Sequence, residues 1–281
     1  MRILITGSGF IGKALARYFV DAPAEVTLLS RRPVELRGVK NILHDLNQPL
    51  SLATKFDLVV HTAAVHPSLK PEPALQQYDS NVAMAQNLAA WAVKNPPGSF
   101  LYLSSISVYG DVTGPELREE TQMVSPTLYG KTKYLGELAL VPIASKVPVR
   151  IIRLPGVVGA GAHPVWIQRM LLDAQRNAVL KISNPLSLFN NITHAEQLAR
   201  LAVHLHGRVE PSITVNVSAR DPISIEAVAK GLVRRLKSSS AIEEIPSKKP
   251  PFSISTRLLQ GLGWQPDTTD QMLDWLVRSS L

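Results

Sequence analysis

The sequence predicts an α/β fold, a doubly wound parallel sheet followed by a small C-terminal lobe, on three observations. Short apolar, β-branched runs alternate with segments of helical periodicity through the first half of the chain. The first such run, Arg2–Thr6, leads through a glycine-rich turn into the amphipathic segment Lys13–Val20. This alternation ends after Arg153. Strands joined through helices pair in parallel, and a change of pattern indicates a second structural region.

The remaining elements follow in order from the same two periodicities. The predicted strands are Arg2–Thr6, Glu25–Ser30, Val39–Leu43, Asp57–Thr62, Ser99–Ser105, Val149–Arg153 and Ile213–Val217. The segments of helical character are Lys13–Val20, Pro73–Lys94, Ser125–Lys146, Val165–Asn177 and Ala195–His206. The glycine- and proline-rich segment Leu154–Pro164 and the polar, proline-rich segment Ser238–Pro251 are predicted as loops, the latter exposed.

The turn after the first strand has the spacing G-x-G-x-x-G. Gly7 permits a tight turn, Gly9 lets the backbone approach a pyrophosphate, and Gly12 allows close packing of helix on strand. The helix N-terminus offers free N–H groups and a partial positive charge to phosphates. The sequence therefore predicts a Rossmann-type dinucleotide site whose turn consists of Gly7, Ser8, Gly9, Phe10, Ile11 and Gly12. We expect a dinucleotide-binding core over 1–155 and mainly a substrate lobe over 156–281, with 190–218 returning to the core sheet.

The end of the second strand indicates which cofactor is bound. NAD enzymes place an acidic residue there to hold the ribose 2′-hydroxyl. This chain has Ser30, Arg31 and Arg32 instead. A guanidinium suits a 2′-phosphate in charge and geometry, so we expect NADP(H), with NAD(H) as the alternative. The plain alternative is a basic turn exposed to solvent.

Tyr129 and Lys133 are spaced i and i+4 on a predicted helix, and therefore share one face. An ammonium near a phenol lowers its pKa from about 10 by favouring the phenolate. We therefore expect Tyr129 to act as an acid or base near neutral pH, and Lys133 also to reach the nicotinamide ribose. An ordinary surface pair is the alternative interpretation.

Further motifs lie along the chain. They are His44-Asp45-Leu46, Val60-His-Thr-Ala-Ala64, a helix opening at Asn81, Leu103-Ser-Ser-Ile-Ser-Val-Tyr-Gly110, Arg153-Leu-Pro-Gly-Val-Val-Gly159, His194-Ala-Glu-Gln-Leu-Ala199, Val215-Asn-Val217 and Leu262-Gly-Trp-Gln-Pro266. With the opening turn, these motifs resemble the extended short-chain dehydrogenase/reductases of the NAD(P)-dependent sugar epimerase/dehydratase type. The opening turn is one residue shorter than the G-x-x-G-x-x-G usual in that family.

The resemblance implies roles for individual residues. Ser105 would be the catalytic serine, which hydrogen-bonds the substrate oxygen and orients Tyr129. Asp45 and the backbone of Leu46 would hold the adenine. The remaining residues expected beside the cofactor are Thr62, Ala63, Ala64, Asn81 and Pro155.

Three departures from the family pattern narrow the activity. The T-D-E-V-Y motif of the dehydratases is replaced by Ser105–Tyr109, which lacks the acidic pair needed to eliminate water. The cysteine of the epimerase-reductases of the GDP-fucose route is missing, because the chain has no cysteine. The R-D-x-I segment is replaced by Asn190–Thr193, without the arginine that clamps a nucleotide diphosphate.

Composition excludes several classes of protein. Without cysteine there is no disulfide, thiolate metal site or cysteine nucleophile. No apolar run approaches the ~20 residues of a membrane span, and the first strand starts at the N-terminus, so we expect no signal peptide and a cytoplasmic location. The net charge of +8 is spread without long basic blocks, so we expect no nucleic-acid partner. The scattered histidines, with His163 as a candidate extra acid or a loop-surface residue, predict no metal site.

These observations predict an NADP(H)-dependent oxidoreductase that reduces a keto group on a sugar-like or otherwise polyhydroxylated small molecule. Ser105, Tyr129 and Lys133 are the predicted catalytic residues. Two alternatives stay open: a nucleotide-sugar epimerase that retains NAD, and a non-catalytic NADP-sensing protein. A homodimer is the oligomeric state we consider.

Overall fold

The computed structural model describes residues 1–67, 74–163, 165–208, 212–247 and 250–280. The chain forms two compact units, which interleave along the sequence. The first comprises Met1–Gly110, Gln122–Arg153 and Leu198–Val215, and the second comprises Asp111–Thr121, Leu154–Gln197 and Asn216–Leu281. The predicted division into 1–155 and 156–281 placed residues 111–121 in the first domain, whereas in the structure they belong to the second unit.

The secondary structure follows the predicted order. The strands are β1 (Arg2–Thr6), β2 (Glu25–Ser30), β3 (Val39–Leu43), β4 (Leu58–His61), β5 (Ser99–Ser105), β6 (Glu116–Leu117), β7 (Val149–Leu154), β8 (Gly156–Val158), β9 (Leu180–Ile182), β10 (Leu188–Phe189), β11 (Ile192–His194), β12 (Ile213–Asn216), β13 (Ile223–Ser224), β14 (Ile242–Glu244) and β15 (Ser253–Ile254). The helices are α1 (Phe10–Val20), α2 (Ser80–Lys94), α3 (Leu128–Ala139), α4 (Trp166–Gln175), α5 (Ala195–His206), α6 (Ile225–Leu236), α7 (Arg257–Gly261) and α8 (Thr269–Arg278). Short 3₁₀ segments occupy Leu75–Asp79, Ile106–Val108 and Val141–Ile143.

A seven-stranded sheet in the order β12-β7-β5-β4-β1-β2-β3 forms the centre of the first unit. β1 pairs in parallel with β2 and β4, and the next pairs on either side, β2–β3 and β4–β5, are also parallel. The strand order therefore reverses between β1 and β4, which is the point where α/β sheets bind ligands beyond their carboxyl ends. The predicted fold class is confirmed.

The core of the first unit lies where α2 and α3 cover one face of this sheet. Leu4, Val59 and Phe100 of the strands are fully buried, together with Leu88 and Trp91 of α2. These strands carry apolar residues at consecutive positions because both of their faces are covered. The packing fixes α3, which carries Tyr129 and Lys133, against β5.

The second unit has its own core and contains elements that the sequence analysis did not predict. Side chains from α4, α6 and α8 form this core, and four two-stranded sheets pair β8 with β11, β9 with β14, β10 with β13 and β6 with β15. The predicted loop 154–164 contains β8, and the predicted exposed loop 238–251 contains β14, so these two predictions were wrong in part. Pro164 and residues 248–249 lie outside the described residues.

No helix in the described ranges has both the length and the apolar character needed to cross a bilayer.

Candidate active site

The glycine turn between β1 and α1 contains two glycines that the protein's own packing requires. Gly7 has φ +97°, and a Cβ there would lie 2.6 Å from the backbone nitrogen of Ala63, which follows β4. A Cβ on Gly12 would lie 1.9 Å from the carbonyl oxygen of Gly7. Thr62 closes the same turn, since its hydroxyl donates to the carbonyls of Thr6 (2.9 Å) and Gly7 (3.2 Å). The predicted turn residues and Thr62–Ala63 are therefore brought together.

Gly9 differs from the other two glycines. It is exposed, its backbone angles (φ −69°, ψ −174°) suit any residue, and no heavy atom outside its chain neighbours lies within 4 Å of a Cβ built there. Gly9 is also the N-cap of α1, with no side chain capping the helix. Uncapped N–H groups behind an open, side-chain-free surface fit the phosphates of a dinucleotide.

The end of β2 is held by a hydrogen-bond network around Asn41 of β3. The Asn41 amide nitrogen donates to Ser30 Oγ (2.9 Å), and its oxygen accepts from the Val34 N–H (3.0 Å). Ser30 Oγ in turn donates to the carbonyl of Arg32 (2.7 Å). The Ser30 hydroxyl thus shapes the turn, while Arg31 and Arg32 are exposed on it.

Other predicted cofactor residues have structural partners. Asp45 is exposed and accepts from the backbone and side chain of Asn47, both at 3.0 Å, while Leu46 is buried. Asn81 is buried, and its amide bonds both the N–H (2.7 Å) and the carbonyl (3.1 Å) of Val65. It therefore fixes the segment that contains Ala63 and Ala64. The buried Pro155 and the exposed His163 belong to the second unit.

Ser105 and Tyr129 meet at the carboxyl end of β5. Ser105 ends the strand and caps the following 3₁₀ turn, since its Oγ accepts from the Ser107 N–H at 3.1 Å. The Ser105 hydroxyl donates to Ser107 Oγ at 3.1 Å, and Ser105 lies close enough to the Tyr129 hydroxyl to lower its pKa. The Tyr129 ring also packs edge-on against His66, with 4.9 Å between ring centroids, and His66 is exposed. The sequence analysis assigned His66 no role beside Tyr129.

The protonation of Tyr129 differs from the expectation. Burial raises its pKa well above the usual 10, the interaction with Ser105 opposes this shift, and Tyr78 adds to it. We had expected Lys133 to lower this pKa. The prediction was wrong for the described structure, because desolvation of the phenolate outweighs the interaction with Ser105. Tyr129 is therefore a protonated phenol at neutral pH.

Lys133 lies in a buried site without a carboxylate partner. Its side chain is 2% exposed, and its Nζ lies 4.1 Å from the centroid of the Tyr102 ring. Burial lowers its pKa to about 7, against the opposing charge of Glu137. Within the described part of the chain, its ammonium forms no hydrogen bond or ion pair. A buried cation with N–H groups to donate fits the hydroxyl groups of a ribose.

One turn beyond Lys133, the buried Glu137 forms an ion pair that the sequence analysis missed. Arg153 donates to it through Nε (3.0 Å) and Nη2 (2.7 Å), and the Ser104 hydroxyl donates at 2.5 Å. Arg153 Nη1 also donates to the hydroxyl of Tyr109 (2.8 Å). The i, i+4 spacing of Lys133 and Glu137 indicated a shared helix face, but the partner of Glu137 lies on a distant strand.

Asn190, the first residue of the Asn190–Thr193 segment in the second unit, uses its side-chain amide in hydrogen bonds within the protein. Asn190 is 1% exposed, and it donates to the carbonyls of Ala219 and Ile254 (both 2.8 Å) and accepts from the Ile254 N–H (2.8 Å). Its side chain therefore joins segments of the unit to one another.

A dinucleotide turn, a reversal of strand order beside it, and a serine, tyrosine and lysine on β5 and α3 define a Rossmann-type protein with the residues of a short-chain dehydrogenase/reductase. The chain belongs to the NAD dependent epimerase/dehydratase family, whose model matches residues 3–218. The resemblance drawn from the motifs is thereby confirmed.

Individual relatives have different activities. The chain is 26% identical to the UDP-N-acetyl-alpha-D-glucosaminuronate decarboxylase of Bacillus cytotoxicus, over 92% of each chain. It is 23% identical to the D-erythronate dehydrogenase of Haemophilus influenzae, over 96% of each chain. Among solved structures, the UDP-glucuronic acid 4-epimerase of Bacillus cereus in complex with NAD has a TM-score of 0.77 and 19% identity, covering 100% of both chains. This last likeness shows the fold.

Proposed function

We propose that this protein is an NADP(H)-dependent oxidoreductase that reduces a keto group on a sugar-like or polyhydroxylated small molecule. The observation that carries the proposal is that Ser105, at the end of β5, lies close enough to Tyr129 to influence its protonation, and that Tyr129 shares one face of α3 with the buried Lys133. When bound, the nicotinamide would supply hydride to the substrate carbon. The protein's own part is to hold the carbonyl oxygen and to protonate it.

The chemistry divides among these three side chains. Ser105 would donate a hydrogen bond to the substrate oxygen and hold it at the Tyr129 hydroxyl. Tyr129, whose raised pKa keeps the phenol protonated, would give its proton to that oxygen. Lys133 would bind the ribose hydroxyl groups through its N–H groups. Proton transfer of this kind contributes typically ~10²–10⁴ in rate.

The preference for NADP(H) rests on Arg31 and Arg32. Both are exposed on a turn that Asn41 and Ser30 hold in place. Two guanidinium groups on an ordered turn suit a 2′-phosphate. The solved B. cereus epimerase contains NAD, so NAD(H) remains the competing cofactor.

The substrate class rests on Asn190 and on one relative. The family's diphosphate clamp is an arginine, whereas Asn190 is neutral and all three hydrogen bonds of its side chain are to the protein backbone. The D-erythronate dehydrogenase similarity supports an oxidoreductase acting on a sugar acid without a nucleotide. A nucleotide-sugar epimerase with retained NAD is the second candidate, because the decarboxylase and epimerase names of other relatives favour nucleotide sugars.

Two measurements test the proposal. The dissociation constant for NADPH should be lower than that for NADH. An Arg31→Ala/Arg32→Ala variant should lose about tenfold or more of its affinity for NADPH and keep its affinity for NADH, since charge-assisted hydrogen bonds contribute ~1.5–3 kcal/mol. Arg278→Ala, an exposed arginine of α8, is the matched control. Tighter binding of NADH would overturn the cofactor assignment.

The second measurement follows consumption of NADPH across a panel of keto-sugars and keto-acids. Tyr129→Phe should bind NADPH within about twofold of wild type and lose ~10² or more in turnover, because it lacks only the hydroxyl. Interconversion of two epimers without added cofactor, by protein that carries NAD, would instead establish the second candidate.

A further inference from the structure

Tyr102 of β5 contacts Lys133 both through its ring and through its hydroxyl. Its ring lies 4.1 Å below the lysine Nζ, and its hydroxyl donates to the lysine's own carbonyl oxygen at 3.3 Å. A Cβ on Gly136 would lie 2.1 Å from the Tyr102 hydroxyl oxygen, so α3 crosses the phenol this closely only because residue 136 is glycine. Tyr102 itself is fully buried.

The titratable groups around Lys133 come from β4, β5 and α3. They are Tyr102 of β5, His61 of β4, and Glu137 of α3, while Tyr129 lies four residues before Lys133 on the same helix. Burial, with a contribution from the charge of Lys133, lowers the pKa of His61 to about 3, so that histidine is neutral. The Glu137 carboxylate is bound by Arg153 and Ser104. A cation is attracted to the negative face of an aromatic ring, and most strongly where water is excluded.

We propose that Tyr102 is a positioning residue for Lys133: its ring supports the ammonium without taking up the lysine N–H groups, which stay available for the cofactor ribose. A carboxylate in place of the ring would take up one or more of those N–H groups. The inference rests on the proposed function in one respect, the assignment of Lys133 to the cofactor.

Direct binding of NADPH and NADH, measured by titration from about pH 6 to 9, tests this proposal without any substrate. Tyr102→Phe keeps the ring and should bind cofactor within about threefold of wild type, with the same pH midpoint. Tyr102→Leu removes the ring and should weaken binding about tenfold, a loss in the range that a desolvated cation–π contact contributes. Its pH midpoint should fall, because the charged form of Lys133 loses support.

Phe100→Leu is the matched control, because Phe100 lies two residues away on β5 and is equally buried. This variant opens a similar cavity and should leave affinity and midpoint near the wild-type values. Equal effects of Tyr102→Leu and Phe100→Leu would overturn the inference, since both would then act through stability alone. Tyr102→Met fills more of the cavity and serves if the leucine variant does not fold; if neither variant folds, Tyr102 is structural and the inference is wrong.

Lys133→Met separates this inference from the proposed function. If it leaves cofactor affinity and the pH midpoint unchanged, the assignment of Lys133 to the cofactor fails, and the inference fails with it. If Lys133→Met weakens binding and abolishes the midpoint while Tyr102→Leu changes neither, only the role of Tyr102 is overturned.

Discussion

The buried ion pair between Glu137 and Arg153 should be costly to break. Glu137 is 4% exposed and Arg153 is 6% exposed. Burial alone would lower the pKa of Arg153, but the hydrogen bond and charge of Glu137 raise it above its usual value. Glu137→Gln keeps the shape of the side chain and removes its charge. Arg153 then loses this counter-ion, and breaking a buried pair in that way costs about 3–5 kcal/mol of unfolding free energy.

An exposed pair in the same chain gives the scale for comparison. Glu226 and Lys230 of α6 form an i, i+4 contact of 2.6 Å, close to the 2.7 Å between Arg153 and Glu137. Both side chains of the exposed pair contact water, so Glu226→Gln should cost about 0.5 kcal/mol or less. The cost of the same chemical change is therefore expected to differ several-fold between the two sites, because Glu137 is buried and accepts further hydrogen bonds from Arg153 and Ser104.

Urea unfolding followed by circular dichroism measures both variants against wild type. If Glu137→Gln loses less than about 1 kcal/mol, or no more than Glu226→Gln, the reasoning from burial is wrong. A third variant tests the mechanism of the loss. Replacing both charges with apolar groups, as Glu137→Leu/Arg153→Met, should recover much of the stability that the single change removes, since no unpaired charge is then buried.

Two further predictions concern Lys133 and the glycine turn. The pKa of Lys133 is about 7 in the folded protein and about 10.4 in the unfolded chain. Between about pH 7 and 9 the unfolded chain therefore binds more protons than the folded protein. Over this range the unfolding free energy of wild type should rise by about 2 kcal/mol relative to Lys133→Met. Chemical denaturation at both pH values checks this, and an unchanged difference would contradict it. Gly9→Ser should keep or improve stability, because serine is a good N-cap, but should weaken NADPH binding about tenfold or more. Gly12→Ala should destabilise the fold, because its Cβ would lie 1.9 Å from the Gly7 carbonyl oxygen. If Gly9→Ser and Gly12→Ala lose the same stability in thermal unfolding, the assignment of Gly9 to a ligand is refuted.

The central sheet was predictable because most of its strands are buried on both faces, although the edge strand β3 is only partly buried. β2, β3 and β5 have the bounds that their apolar, β-branched runs predicted. The amphipathic helices α6 and α8 were missed although the signals are present, since Ser224 caps α6 and Thr268 with Gln271 forms a capping box at α8. The two- and three-residue strands of the second unit are too short for any periodicity, so their pairing comes from tertiary contacts.

The candidate site likewise combines features that the sequence predicts with features that depend on the packed structure. The i, i+4 spacing of Tyr129 and Lys133 places them on one helix face, and this much follows from the sequence alone. The ring of Tyr102 under Lys133 and the pairing of Glu137 with Arg153 join α3 to separate strands. Such contacts depend on the packing of elements distant in sequence, which a local pattern does not contain. The wrong expectation for the pKa of Tyr129 has the same origin, because desolvation is a property of the packed site.

Burial acts on Tyr129 and Lys133 with opposite signs, and this determines which proton transfer the site can begin. Removing each group from water disfavours its charged form, so the pKa of the phenol rises and the pKa of the ammonium falls. At neutral pH the tyrosine therefore holds a proton. Reduction of a ketone consumes a proton at the carbonyl oxygen and can start from this state. Oxidation of an alcohol must first remove the proton from the phenol, at a free-energy cost of ~1.4 kcal/mol for each unit by which the pKa exceeds the pH. The protonated phenol is thus the starting state for the keto reduction we propose, while the raised pKa makes the phenolate costly in both directions of the reaction.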